Sequence, residues 1–322
     1  MPPLTDPSLT LRPGSLADAQ AVADLINAAD DHDYGAHDVT VDDILEEMGG
    51  TDAQHDLRLV WRDGQLVGMG GVQPRAGVRF TTTIYVHPDA RRQGIGTQML
   101  RFAEERADAH APKAPADAQL SIVGWVNAEQ PEMVGWAEHR GYERVRDFLR
   151  MQIQLDERPR APRWPEGVSV RTYQPDDARP LFHAVEEAFS DHWGHLPMEF
   201  DDWMRRTERS DFDPTLWFLA TEGDEIVAMS LAALMVPDGG WVGSVGVRRP
   251  WRQRGIARAL LLETFGELYR RGRRWAALGV DADSLTGATR LYESVGMRVR
   301  ERHAQMRKII RDGREIEISS ID

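Results

Sequence analysis

Two short stretches of the sequence carry the residue types that hold an anion. Residues 91–97 read Arg91-Arg92-Gln93-Gly94-Ile95-Gly96-Thr97, and residues 252–257 read Arg252-Gln253-Arg254-Gly255-Ile256-Ala257. Each follows an apolar run, ending at Val86 or Val247, and precedes apolar residues at helical spacing. A strand, a glycine turn and a helix in that order leave the first amides of the helix without partners. Those amides and the helix dipole attract a phosphate. Gly94 and Gly255 let it approach without a Cβ in the way, and Gly96 and Ala257 keep the next turn small. Arg91, Arg92, Arg252 and Arg254 have the chemistry for charge-assisted contacts to it. A close-packed turn with solvated arginines would use the same residues, but the double occurrence in one context favours phosphate. Other phosphate loops fit worse: the sequence has no G-x-x-x-x-G-K-S/T pattern, and no G-x-G-x-x-G follows its first strand.

A second group of chemistry-bearing residues follows the first helix of each half. Asp191, His192 and His195 surround Trp193, and the corresponding stretch has Asp31, His32, Asp33, Tyr34 and His37. No second ligand cluster of suitable spacing accompanies them, so a metal centre is not expected. A loop lining a substrate, or a solvated helix cap, accounts for them. The chain has no cysteine, which excludes disulfides, thiolate metal sites and a cysteine nucleophile.

The elements that must position these residues occur twice. Arg12 with Asp18-Ala19 matches Arg171 with Asp177-Ala178, and Asp31-His32 matches Asp191-His192. Leu66-Val67-Gly68-Met69 matches Ile226-Val227-Ala228-Met229, and Tyr85-Val86 matches Gly246-Val247. A register held this well over so many markers is a duplication. Asp156 to Gly167, with three prolines, is the expected linker between domains 1–155 and 168–322. Each half predicts a strand (Leu9–Arg12, Val168–Tyr173) and a helix (Ala17–Asp30, Asp177–Ser190). A second helix follows (Val41–Met48, Met198–Glu208), then a hairpin turning at Asp63-Gly64 or Gly223-Asp224. A strand into the glycine motif, a long helix (Ile95–Ala109, Ile256–Arg271), a strand, a helix and a last strand complete each half. The first half carries an extra Pro/Ala-rich loop between Ala109 and Leu120. The fold class expected is α/β with a mixed sheet, in two tandem domains.

The segments I-Y-V-H-P-D-A-R-R-Q-G-I-G and V-G-V-R-R-P-W-R-Q-R-G-I-A resemble the acetyl-CoA motif of the GNAT superfamily of N-acetyltransferases. Leu291 to Met297, L-Y-E-S-V-G-M, is similar to that family's later motif, and Trp136 to Tyr142 is its counterpart in the first half. The resemblance spans nearly the whole chain. It implies two GNAT-like domains, each a mainly antiparallel twisted sheet flanked by helices. It also implies acetyl transfer from acetyl-CoA to a primary amine of a small molecule by direct attack in a ternary complex.

The resemblance gives further roles. The diphosphate of CoA falls on the amides of Gln253, Arg254, Gly255, Ile256 and Ala257, and in the first half on those of Gln93 to Thr97. The pantetheine follows the strand ending at Val247 (Val86 in the first half), like an added strand. An amide at Val245 or Val247 polarises the thioester carbonyl, and Tyr292 protonates the leaving thiolate. Ser284 stands where the family often has an asparagine touching pantetheine. Alignment on Gly141 and Gly296 sets Ala137 opposite Tyr292, so the first domain is expected to be non-catalytic. The family often places a glutamate on the strand before the glycine motif as base. Trp241 to Val247 holds no carboxylate, leaving Ser244 with a water, or Asp191, His192 and His195, for that task. A non-catalytic acyl-CoA-binding or sensing protein is the alternative reading.

The remaining numbers narrow the partners. A net charge of −13 disfavours nucleic acid and mildly favours cationic acceptors. Lys113 and Lys308 are the only lysines, so nearly all positive charge is arginine. No apolar run is long enough to span a membrane, and the first residues lack a secretion signal, so a cytoplasmic location is expected.

Overall fold

The computed structural model describes residues 6–35, 39–49, 52–209, 212–235, 238–284 and 287–316. They form two compact units: one of described residues within 6–146 and 303–316, the other of those within 147–302. Both are mixed α/β bodies with mostly antiparallel sheets.

The first unit opens with β1 (Leu9–Pro13), α1 (Ala19–Tyr34), α2 (Val41–Gly49) and the single-turn α3 (Ala53–Asp56). The meander β2 (Leu57–Arg62), β3 (Gln65–Arg75) and β4 (Arg79–Val86) follows, then α4 (Ile95–His110), β5 (Leu120–Asn127) and α5 (Pro131–Glu138). The β2–β3 turn at Asp63-Gly64 has positive φ at both positions, 49° and 82°, as the sequence predicts for a tight hairpin.

After β6 (Glu143–Gln154), the second unit has β7 (Val168–Thr172), α6 (Ala178–Phe189) and α7 (Phe200–Met204). Next come β8 (Trp217–Glu222), β9 (Glu225–Met235), β10 (Gly239–Val247), α8 (Ile256–Arg270), β11 (Trp275–Asp281), α9 (Ala288–Ser294) and β12 (Arg298–Arg311). The helix expected over Met198–Glu208 is shorter: α7 gives way to a 3₁₀ turn at Arg205–Thr207.

Each sheet is completed by a strand from the other half of the sequence. In the first unit β5 pairs antiparallel with residues His303–Arg311 of β12. In the second, β11 pairs antiparallel with Phe148–Gln154 of β6. Leu149, Met151 and Leu155 enter the second unit's core beside Val242, Phe265, Leu278, Tyr292 and Met297. A second core lies under α6 and α7, where Leu181, Phe182 and Trp203 meet Trp217, Leu219 and Met229.

The repeated Arg/Asp marker is a structural brace. The Arg12 guanidinium donates to both Asp18 oxygens at 2.9 and 2.5 Å, and Arg171 does the same to Asp177 at 2.5 and 2.6 Å. Each carboxylate also accepts an amide, of Ser15 (2.9 Å) or Gln174 (2.7 Å), and so clips the first strand to the start of the first helix. The bonds from Arg171, against the opposing effect of burial, hold the Asp177 carboxyl below its ordinary pKa. A group with a depressed folded pKa stabilises above its unfolded pKa, about 3.9, and loses that contribution as pH falls through the folded value. Asp177→Asn is expected to cost about 2 kcal/mol at pH 7. Urea midpoints of native and variant chains should converge as pH falls through the depressed folded value.

Candidate active site

The glycine turns have the same backbone in both units. Arg92 and Gly94 have φ of 62° and 84°; Gln253 and Gly255 have 65° and 82°. Arg92 and Gln253 are two of four non-glycine residues with positive φ among the described residues. Left-handed backbone at a side-chain-bearing residue costs about 1 kcal/mol and persists where the surroundings enforce it. Left-handed residues alternating with ordinary ones turn successive N–H groups toward one concavity, the geometry of an anion nest.

Gly94 and Gly255 are the N-caps of α4 and α8, and neither helix has a side-chain capping bond. A Cβ placed on either glycine would meet nothing within 4 Å. Gln93, Gly94, Arg254 and Gly255 are exposed, while Ile95 and Ile256 anchor the turns in the core. The capping glycine and the residue before it thus border open space in both turns.

Three of the four arginines beside the turns are held by groups of the protein itself. Arg91 pairs with both Asp33 oxygens at 2.7 and 2.8 Å and donates from Nε to the Val86 carbonyl at 3.4 Å. Arg252 donates to the carbonyls of Val247 (3.1 Å) and Ala188 (3.2 Å) and to Asp191 (3.4 Å). Both arginines tie the end of the strand to the first helix, and so fix the turn from behind. Arg254 pairs with Glu222 at 2.9 Å, and the Gln93 side chain donates to the Asp89 carbonyl at 3.3 Å. The sequence shows that these arginines flank the turn but not that carboxylates lie behind it.

The strands feeding the turns open a wedge. β10 pairs parallel with β11 only over Gly239–Trp241 against Trp275–Ala277, and antiparallel with β9 throughout. From Val242 to Val247 the β11-facing edge of β10 has no strand partner. A register shift between Val242 and Ser244 leaves exposed Gly243 as a bulge, which re-aims Ser244 to Val247. The glycines of W-V-G-S-V-G-V were the available signal for it. β4 parts from β5 in the same way after Thr81 and Val123, but its register with β3 is unbroken.

Tyr292, on α9, is 7% exposed and sits in the core cluster against which Val245 of β10 packs. Burial pushes its phenol up to about 12. Ala137 of α5 is its counterpart in the first unit. Ser284 lies in the turn after β11, its amide on the Asp281 carbonyl at 3.2 Å.

The first unit has a brace that sequence reading missed. Arg140 donates to Thr97 Oγ1 and to the Trp136 carbonyl, both at 2.8 Å, and its guanidinium lies 4.5 Å from the Trp136 ring centroid. Thr97 is in the first turn of α4, so α5 is bolted to the start of that helix. The matching positions in the second unit are Val295 and Arg258, which cannot make this bridge.

His192 and Trp193 follow α6, and the Trp193 ring meets Phe148 of β6 with centroids 6.4 Å apart. Asp191 pairs with Arg249 (3.0 Å) and Arg252, and His195 with Glu186 at 3.5 Å. In the first unit Asp33 rather than Asp31 receives the arginine of the turn; His37 lies outside the described residues. Among the described residues no group of histidines and carboxylates could hold a metal ion. No helix among them is long and apolar enough to cross a membrane.

The acetyltransferase (GNAT) family model matches residues 20–120 and 178–297, most of both halves. The chain belongs to the GNAT family. It is an acyltransferase with two GNAT domains in tandem. A GCN5-related N-acetyltransferase from Sphaerobacter thermophilus shares 41% identity with this GNAT chain at TM-score 0.85, over 96% of this chain and 98% of that one. A tandem GNAT protein from the clavulanic acid biosynthesis pathway, 17% identical, has the same fold at TM-score 0.74 over 95% and 100% of the two chains. A mycothiol acetyltransferase from Kineococcus radiotolerans is 31% identical over 88% of this chain and 90% of its own length. Another, from Nocardiopsis dassonvillei, is 28% identical over 88% of each.

Proposed function

We propose that the second unit transfers an acetyl group from acetyl-CoA to a primary amine of a small molecule, by direct attack in a ternary complex. The observation that carries this reading is the pairing of an uncapped, outward-facing helix turn at Gly255 with a strand edge left open by the parting of β10 and β11. The amides of Gln253 to Ala257 would hold the diphosphate, and the open edge of β10 would accept the pantetheine arm as a further strand. Ser284, at the end of β11, would line that arm. Acetyl-CoA supplies an activated acyl group at the wedge. The amides near Val245 and Val247 would polarise its carbonyl.

Transfer forms the amide C–N bond, breaks the C–S bond, removes a proton from the amine and returns one to sulfur. With a pKa of about 12, Tyr292 is protonated at neutral pH and holds the proton that the thiolate needs. Against a thiol of pKa about 8.5 in water the transfer is uphill by about 5 kcal/mol. The burial that raises the phenol also raises the proton affinity of a thiolate beside it, which narrows that gap.

In the first unit the Arg140 brace spans the start of α4, and Ala137 replaces the acid. Its residues Val86 and Arg91 to Thr97 would at most bind acetyl-CoA without turning it over. The mycothiol acetyltransferase relatives make an amine on a small polar molecule the acceptor class to test first. The full chain should release CoA from acetyl-CoA in the presence of a primary amine, and Tyr292→Phe should lower kcat about 100-fold. Its acetyl-CoA affinity should stay within about threefold, or ~0.65 kcal/mol. Acetyl-CoA binding without turnover, or full activity in Tyr292→Phe, would favour the sensing role instead.

A further inference from the structure

We propose that His192 takes the proton from the acceptor amine, and that the loop bearing it, seated on β6 through Trp193 and Phe148, walls the acceptor pocket; this rests on the transfer reading above. The placement follows from which strands the loop reaches. α6 packs on β9 and β10, whereas Phe148 belongs to β6, which lies beyond β11. A chain that leaves α6 and meets β6 one residue after His192 must cross the ends of β10 and β11, where those strands are apart. The neighbours of His192 say the same. Among the charged groups acting on it are Arg252, just past the end of β10, and Asp281, the last residue of β11. It therefore stands at the mouth of the wedge into which the acetyl group would project.

The His192 ring is held edge-on to Phe189, centroids 4.6 Å apart, and its amide donates to the Phe189 carbonyl at 2.9 Å. Other titratable groups around it are engaged elsewhere. Asp191 accepts from Arg249 and Arg252, His195 faces Glu186, and Asp147 of β6 accepts from Arg302 at 3.2 Å. Asp281 accepts the Asp283 amide at 2.9 Å. His192 is exposed, yet the protein on its inner side and then Arg252 outweigh the pull of Asp281 and hold its pKa below the ordinary imidazole value. At neutral pH it is a neutral base. The amine nitrogen bonds to the acetyl carbon as its proton passes to the imidazole; the C–S bond breaks and the thiolate is protonated by Tyr292. The products are an amide and a thiol, with no oxidant or further reactant needed.

A base must be deprotonated to act, so kcat should fall as pH drops through the His192 pKa, below about 6.5. The test uses the full chain, saturating acetyl-CoA, and the best acceptor among glucosamine, spermidine and phenylethylamine. His192→Gln should lower kcat at pH 7 about 100-fold and abolish the acid limb, leaving the KM for acetyl-CoA within about threefold. His195→Gln should keep the limb. Added imidazole should restore part of the rate to His192→Ala, which a merely structural role would not allow. Native-like rate and limb in His192→Gln, with turnover intact in the native chain, would overturn the assignment of the base alone. No CoA release by the native chain with any of the three amines would overturn the transfer reading and this assignment together.

Discussion

Residues 156–322, produced without the first half, are expected not to fold into a stable unit. Sequence alone makes them look like a complete domain, but the second unit's core takes Leu149 and Met151 from β6 and Leu155 just after it. Met151 is fully buried and the two leucines are each 4% exposed. Truncating one such residue to alanine costs about 2–5 kcal/mol. Losing all three approaches or exceeds the whole stability of an ordinary domain, about 5–15 kcal/mol. β11 would also lose its antiparallel neighbour over Trp275–Asp281 and become a bare edge prone to aggregate. The effect should reach chemistry, because Leu149 and Met151 share the cluster that holds Tyr292. Thermal melts followed by circular dichroism should show no cooperative transition for 156–322 alone. Co-production with 1–155 should restore one, since the first unit in turn needs residues 303–316. A cooperative melt and acetyl-CoA binding by 156–322 alone would contradict this account.

That exchange marks where the sequence stopped being legible. The duplication, the strand and helix order, the hairpins and the position of both glycine turns follow from local periodicity and glycine chemistry. These are short-range signals carried by neighbouring residues. The exchange of β6 and β12 depends on which of two similar edges a strand pairs with, and in periodicity the two edges look alike. The arginines illustrate a second gap. Arg91 and Arg252 were visible beside the turn, but their partners Asp33 and Asp191 are far away in sequence, so phosphate contact and internal brace could not be told apart. Tyr292 was legible only through its family motif; its burial, and hence its raised pKa, depends on β6. The Arg140–Thr97 bridge and the bulge at Gly243 separate the two units most clearly. They turn on single residues, and neither alters the pattern of the repeat.

The two units hold the same backbone turn in different settings. In the first, α5 is bolted to the start of α4 by Arg140, and β4 runs without a bulge. In the second, the matching positions carry Val295 and Arg258, and the bulge turns Ser244 to Val247 along the open wedge. The same duplicated turn thus sits beside a braced helix start in one unit and beside a bulged strand in the other.

The claim on which the rest depends is that the amides at the start of α8 receive a diphosphate, and Ala257→Asp tests it without disturbing the fold. Ala257 is the second residue of α8 and partly exposed. A carboxylate there complements the helix dipole by about 0.3–1 kcal/mol, so the variant should melt no lower than the native chain. The same carboxylate competes for the amides and repels a diphosphate. Gly96→Asp, its counterpart at the start of α4, serves as the matched control. In calorimetric titration with acetyl-CoA, Ala257→Asp should bind at least about 1,000-fold more weakly than the native chain, a loss of ~4 kcal/mol, while Gly96→Asp retains the tight site. Unchanged acetyl-CoA affinity in a folded Ala257→Asp chain would contradict the account.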